Sequence, residues 1–155
     1  MSFFEIGVFQ PKTEVNIGTL WRTAYQLGAS GIFTIGQRYK TQSSDTCKST
    51  RHIPLRRFLT IEDFISSLPR ETTLVGIEMG GIPLSYFSHP KQATYLLGAE
   101  DHGLPKKVLD YCNCVLSLEA VNQLSYNVAV AGSIVLYDRV FLKEKPSKSR
   151  NKIFE

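Results

Sequence analysis

The chain has 155 residues, 43% of them hydrophobic and 21% charged, which is enough for one core and excludes a disordered chain. Its net charge of +4 is mild. The longest apolar run, Val128 to Tyr137, contains Gly132 and Ser133 and is too short for a bilayer, and the start Met1-Ser2-Phe3-Phe4-Glu5 lacks a basic n-region, so neither a membrane span nor a secretory signal is expected.

Phe4 to Phe9 reads as a buried opening strand, broken by Pro11 and the polar Lys12-Thr13-Glu14. A helix is predicted from Asn16, with Ile17, Leu20, Trp21, Ala24 and Leu27 at helical spacing and Gly28 just past its end. Gly31 to Ile35 is a second strand, and Gly36 to Pro54 reads as a long polar connection of the length that loops reach for a functional reason. Thr60-Ile61-Glu62-Asp63 has the form of a capping box ahead of an apolar face of Ile61, Phe64, Ile65 and Leu68. Leu74 to Ile77 is a strand ended by Gly80-Gly81 and Pro83, and Ala93 to Leu97 is another. Lys106 to Cys112 reads as a short helix, Cys114 to Leu118 as a strand, and Asn127 to Phe141 as the final helix. Strands alternating with helices predict an α/β fold with a mainly parallel sheet and helices on both faces. Residues 1–142 form the expected domain and 143–155 a basic tail expected to be flexible.

The positive charge is segregated. Arg38 to Arg57 carries six bases against Asp45, and Lys143 to Glu155 carries five against Glu144 and Glu155. Basic segments of this kind suggest a polyanion partner, with Arg51, Arg56 and Arg57 as its expected contacts; a solvated loop and a loose terminus give the same pattern. The three cysteines, Cys47, Cys112 and Cys114, are odd in number, and Cys112-x-Cys114 is too tight for a zinc pair, so reduced thiols and no metal are expected.

Dinucleotide, P-loop and nucleophile-elbow fingerprints are absent from the sequence. Instead three polar clusters punctuate apolar elements: Asn16 to Ala24 with Asn16, Gly18 and Arg22; Tyr95 to Pro105 with Gly98, Glu100, Gly103 and Leu104; and Leu124 to Ala131 with Ser125 and Asn127 ahead of a small-residue helix. Taken singly, Asn16 and Asn127 suit helix N-caps, Arg22 a solvated helix position and the glycines turns.

In this order the clusters resemble the three motifs of the SpoU/TrmH-type branch of the SPOUT superfamily of RNA ribose methyltransferases, from Phe4 to about Phe141. The N-x-G-x-x-x-R, G-x-E-x-x-G-L and S-x-N cores are all present. Two departures stand out: Tyr126 where an aliphatic residue is commoner, and Leu116-Ser117-Leu118-Glu119 where Ile-Pro-Met is commoner. The resemblance implies a C-terminal deep trefoil knot and a homodimer. It also implies S-adenosylmethionine bound against loops at Ile77 to Gly81, Leu97 to Gly103 and Leu116 to Asn127, with Ile77, Gly98, Leu118 and Ser125 as its contacts. Arg22 is the catalytic residue it nominates, with Asn16, Glu100, Ser125 and Asn127 completing the site. The implied function is a cytoplasmic enzyme that methylates a ribose 2′-hydroxyl of structured RNA, tRNA ahead of rRNA. A non-catalytic RNA-binding module on the same fold is the alternative, and the intact polar motifs argue against it.

Overall fold

The computed structural model describes residues 2–40 and 52–142. Cys47, Arg51 and the basic tail 143–155 lie outside the described residues. The strands are β1 (Phe3–Phe9), β2 (Ile32–Ile35), β3 (Leu55–Phe58), β4 (Thr73–Pro83), β5 (Gln92–Leu97) and β6 (Cys114–Ser117). The helices are α1 (Glu14–Gln26), α2 (Ile61–Ser67), α3 (Lys106–Leu109) and α4 (Val128–Phe141). The six strands form one sheet in the order β3-β2-β1-β5-β4-β6, and every pairing is parallel.

Period-two alternation sends the strand residues to two separate cores. Ile6, Val8, Ile32, Val75, Tyr95 and Leu97 pack with Ile17, Leu20 and Ala24 of α1 and Val128, Val135 and Leu136 of α4. Phe33, Ile35, Leu74 and Leu96 pack on the other face with Ile61 and Phe64 of α2 and Val108 of α3. Helices therefore cover both faces, as the alternating pattern predicts. Where α4 crosses the sheet, a β-carbon on Gly132 would lie 2.6 Å from Leu20 Cδ1. A larger residue there would have to displace the Leu20 side chain, so glycine eases the close approach of α4 to α1 and the sheet.

Three sequence expectations are corrected. The stretch ending at Arg57 is not all loop: Leu55–Phe58 pairs with β2 as the edge strand β3, with Ile32 opposite Leu55 and Ile35 opposite Phe58. Two arginines in a four-residue strand hide a β signal that only pairing with β2 reveals. Helix α1 begins at Glu14 with Thr13 as N-cap residue, so Asn16 is inside the first turn and not at the cap. Helix α3 ends at Leu109, short of the predicted Cys112. The other elements fall within a residue or two of expectation, apart from β4. Thr60 caps α2 by accepting from Asp63 N at 3.1 Å.

Strand β4 runs past its predicted end because it is interrupted. Both Ile77 and Ile82 pair with Leu116, so residues 78–81 loop out between them. This excursion, the segment 98–104 after β5 and the segment after β6 all emerge at the C-terminal edge of adjacent strands. In parallel α/β sheets that edge is where ligands bind. Helix α4 lies over β1 and β5 while β6 is at the sheet's far edge, so residues 118–127 return across the ends of β4 and β5. No described helix is long and apolar enough to cross a membrane.

Candidate active site

The three polar clusters meet in space. Asn127 is the N-cap of α4, and its Oδ1 accepts from Ala129 N at 2.9 Å and Val130 N at 3.2 Å. The cap turns the amide so that Nδ2 faces outward, where it donates to Asn16 Oδ1 at 3.0 Å and to Glu100 Oε1 at 2.9 Å. Asn16 Oδ1 is then occupied, and its Nδ2 donates to Glu100 Oε1. Each motif thus contributes one corner of a closed triangle across α1, the segment after β5 and the start of α4. Glu100 and Asn127 are exposed and Asn16 is partly exposed. Glu100 Oε1 takes two donors, and Oε2 has no partner among the described residues. Lys12 and Thr13 line the small cleft beside Asn16 and Glu100.

Arg22 is not at the triangle. Six helical residues turn it about 120° from Asn16 and carry it about 9 Å further along α1. It is exposed and makes no hydrogen bond or ion pair among the described residues. Ser125 is likewise exposed and lies two residues before the Asn127 corner.

The expected cofactor loops lie side by side. Glycine is required in the second of them: a β-carbon on Gly98 would lie 2.2 Å from the Gly103 carbonyl carbon, and Gly103 has φ of 62°. Gly103 N donates to Ala99 O at 2.8 Å, closing the loop that displays Glu100. The sequence reading missed Glu78, which fastens this loop to the first. Its Oε2 accepts from Leu104 N at 2.7 Å and its Oε1 from Met79 N at 2.8 Å. A lone acid ending the apolar run Leu74 to Ile77 was the available signal. Asp101 is a second missed anchor. Arg38 grips both its oxygens, at 3.1 and 2.7 Å, while Arg38 Nε donates to Gln10 O at 3.0 Å. The hydrogen bonds from Arg38 hold the Asp101 carboxyl well below the usual carboxylate range.

The third loop is closed by the two departures from the family pattern. Tyr126 Oη donates to Glu119 O at 2.8 Å. Glu119 Oε1 accepts from Ser85 N at 3.1 Å and from the Ser85 hydroxyl. Burial raises the Glu119 carboxyl, but the bonds from Ser85 and the backbone outweigh it and leave it below its ordinary value. An aliphatic residue at 126 cannot make this bond, which goes to the main chain of Glu119, while the Glu119 side chain ties the same loop to Ser85.

Ile77 is buried, Gly98 and Leu118 are partly exposed, and Met79, Val121 and Leu124 are strongly exposed apolar side chains on the same loops. Bare backbone and uncovered apolar groups suit an adenine, and the acids on these loops, Glu78, Glu100, Asp101 and Glu119, suit a cationic sulfonium. The residues present therefore fit S-adenosylmethionine.

The expected RNA contacts differ from one another. Arg56 Nη2 donates to Glu5 Oε2 at 2.5 Å, and Glu5 is only 3% exposed, so this guanidinium neutralises a buried carboxylate while its face covers Phe58. Arg57 is exposed and, among the described residues, donates only through Nε, to Gln37 Oε1 at 3.1 Å. Cys112 and Cys114 are free thiols, and burial pushes Cys112 up to about 11.

The SpoU rRNA Methylase family profile matches residues 4–137. The chain belongs to this family. An uncharacterized tRNA/rRNA methyltransferase of Archaeoglobus fulgidus is 29% identical over 131 residues, which are 79% of this chain and 57% of that protein. This chain thus spans little more than half the length of that relative. Among solved structures, one concerned with 2-OH methylation of C/U34 on tRNA superposes with a TM-score of 0.79 at 24% identity, over 89% of this chain and 94% of the other. The SpoU methyltransferase AviRb from Streptomyces viridochromogenes, in complex with AdoMet, superposes with a TM-score of 0.75 at 25% identity, over 90% of this chain and 60% of the other. The cofactor of the family is S-adenosylmethionine.

Proposed function

We propose that this chain is a homodimeric, S-adenosylmethionine-dependent RNA methyltransferase acting on a ribose 2′-hydroxyl, with tRNA favoured over rRNA. The observation that carries the reading is the convergence of Asn16, Glu100 and Asn127 into one exposed triangle beside the three loops. The family match covers all three contributing motifs. The lean to tRNA rests on the likeness to the structure concerned with C/U34 of tRNA, which superposes with a TM-score of 0.79. The proposal includes a knot: the return of residues 118–127 across the ends of β4 and β5 is the path such threading follows.

S-adenosylmethionine supplies a methyl group already activated on a sulfonium. What the protein must add is alignment of the 2′-oxygen and control of its proton. The open Oε2 of Glu100 accepts the hydroxyl's hydrogen bond and takes its proton as the oxygen–methyl bond forms. An arginine keeps its proton at any physiological pH, so Arg22 acts as a cation: it clamps the adjacent phosphate and stabilises the developing alkoxide. Its position on α1, about a third of a turn away from Asn16, supports a site completed by the partner's Arg22. The exposed stripe Val130, Ile134, Tyr137 and Phe141 on α4 supplies an apolar face for that partner.

The test is transfer of labelled methyl to total small RNA, with nuclease mapping of the product. Arg22→Ala is expected to lose about 10²-fold or more in turnover, the size of a group acting at the transition state, with S-adenosylhomocysteine affinity unchanged within a few-fold. Near-normal turnover rejects the assignment. Mixing Arg22→Ala with Glu100→Gln protein is expected to restore part of the activity through shared sites, and no restoration rejects the shared arrangement.

A further inference from the structure

Tyr25 and His52, 27 residues apart in sequence, stack face to face on the surface. Their ring centroids are 4.6 Å apart and their planes lie within 19°. Tyr25 is 44% exposed, His52 is exposed, and neither belongs to either core. Neither the Tyr25 hydroxyl nor the His52 imidazole has a hydrogen-bond partner among the described residues. The pair is nevertheless held firmly. Trp21 Nε1 donates to Ile53 O at 2.9 Å, and Ile32 N donates to Pro54 O at 2.9 Å. Trp21 and Ile53 both pack against the core, which fixes the segment carrying His52 to the helix carrying Tyr25.

The surroundings indicate what such a surface would meet. Arg22 precedes Tyr25 by three residues, so the two side chains are neighbours on the same side of α1. Arg22 makes no hydrogen bond or ion pair among the described residues, and Arg57, five residues after His52 in sequence, is exposed. A rigid aromatic face beside uncommitted guanidinium is the chemistry that captures an unstacked nucleobase. It cannot read a base inside a duplex, because a stacked base offers no free face.

We infer that the Tyr25–His52 stack is a platform for an unpaired nucleobase of the RNA, next to the nucleotide whose ribose Arg22 addresses. The inference rests on the RNA methyltransferase reading and narrows it: the substrate position lies in a loop or single-stranded segment. Because the rings are already ordered, the base docks without freezing them further.

The test uses the whole chain with S-adenosylhomocysteine present, and two probes: a short mixed-sequence single-stranded RNA and a fully paired duplex of the same length. Tyr25→Leu and His52→Ala are each expected to weaken single-strand binding about 10-fold. The slope of log K against log salt stays unchanged, since no phosphate contact is lost, whereas Arg57→Ala lowers it by about 0.7. Tyr25→Phe keeps the ring and retains wild-type affinity. Duplex binding, S-adenosylhomocysteine affinity and thermal midpoint do not move in any of the ring variants. The platform is overturned if Tyr25→Leu binds the single strand like wild type, if Tyr25→Phe is as weak as Tyr25→Leu, or if duplex binding falls equally. In those cases wild-type binding and methyl transfer persist, and the enzymatic reading stands. A wild-type protein that binds neither probe and methylates no RNA overturns both.

Discussion

Helix α4 is tied to the sheet at both ends by polar clusters, and the two are built on opposite lines. At its N-terminal end Asn127 joins Asn16 and Glu100 in the exposed triangle, which leaves a carboxylate oxygen open. At the C-terminal end, by the start of β1 and β5, Asp138 and Arg139 enter a buried cluster. His89 lies 2.6 Å from Tyr95 Oη and 2.8 Å from Asp138 Oδ2. Arg139 donates to Pro90 O at 2.6 Å, Tyr95 Oη at 3.0 Å, Ser2 Oγ at 2.8 Å and Lys91 O at 2.9 Å, and lies over the Phe4 ring. The buried cluster spends its hydrogen bonds internally and holds the strand starts to α4. The exposed one keeps capacity for a ligand. Position on the sheet explains the division, because the C-terminal edge of parallel strands is where loops diverge and leave a crevice.

Breaking the buried end should have the largest effect. Arg139→Ala takes a charged donor from Pro90 O, Lys91 O, Ser2 Oγ and the Tyr95 hydroxyl at once and is expected to destabilise by about 3–5 kcal/mol, since each hydrogen bond to a charged group contributes about 1.5–3 kcal/mol. Denaturant unfolding measures it. A loss below about 1 kcal/mol shows that the cluster carries little of the stability.

The exposed end should respond in rate and not in stability. Glu100→Gln keeps an oxygen for both asparagine donors but removes the charge and the open acceptor. Unfolding free energy should stay within about 0.5 kcal/mol, as at other surface sites. Methyl transfer should fall about 10²-fold. A variant as active as wild type makes the triangle a structural clasp like its counterpart.

The two ends also differ in their response to alkali. Burial pushes Tyr95 up to about 12, with nearby Arg139 opposing the rise. Below the ordinary tyrosine pKa of about 10 the phenol is neutral whether folded or unfolded, and the stability is intact. Between about 10 and 12 only the unfolded chain ionises there, so stability falls with rising pH, by roughly 2–3 kcal/mol over the interval. Tyrosinate absorbance should show one of the seven tyrosines titrating last, and Tyr95→Phe should remove that component. Titration of all seven together near 10 contradicts the burial argument.

The smallest effect is expected at the loop closed by Tyr126. Tyr126→Phe removes one exposed hydrogen bond to Glu119 and should cost about 1 kcal/mol or less. If the loop holds the cofactor, S-adenosylhomocysteine affinity weakens a few-fold while turnover at saturating cofactor is kept. Unchanged affinity would detach this loop from the cofactor.

Much of this molecule was legible in its sequence. The periodicity of Ile17, Leu20 and Ala24 and the apolar runs of β1, β2 and β5 define elements because local spacing alone decides which face is buried. Asn16, Glu100 and Asn127 each have an ordinary local use, as a cap or a loop residue, and stood out only because together they fall in the order and spacing of the family's motifs. Their contact could not be read, since it joins residues up to 111 apart along the chain. Strand β3 was hidden for a similar reason: Arg56 becomes a strand residue only by lying beside β2 and meeting Glu5 across the sheet. Glu78, Glu119 and Tyr126 carry no motif, and their bonds to Leu104, Ser85 and one another arise where separate loops converge. Local spacing determines which face of each element is buried, whereas partnership among polar side chains depends on how the strands are ordered in the sheet, and only the folded chain supplies that.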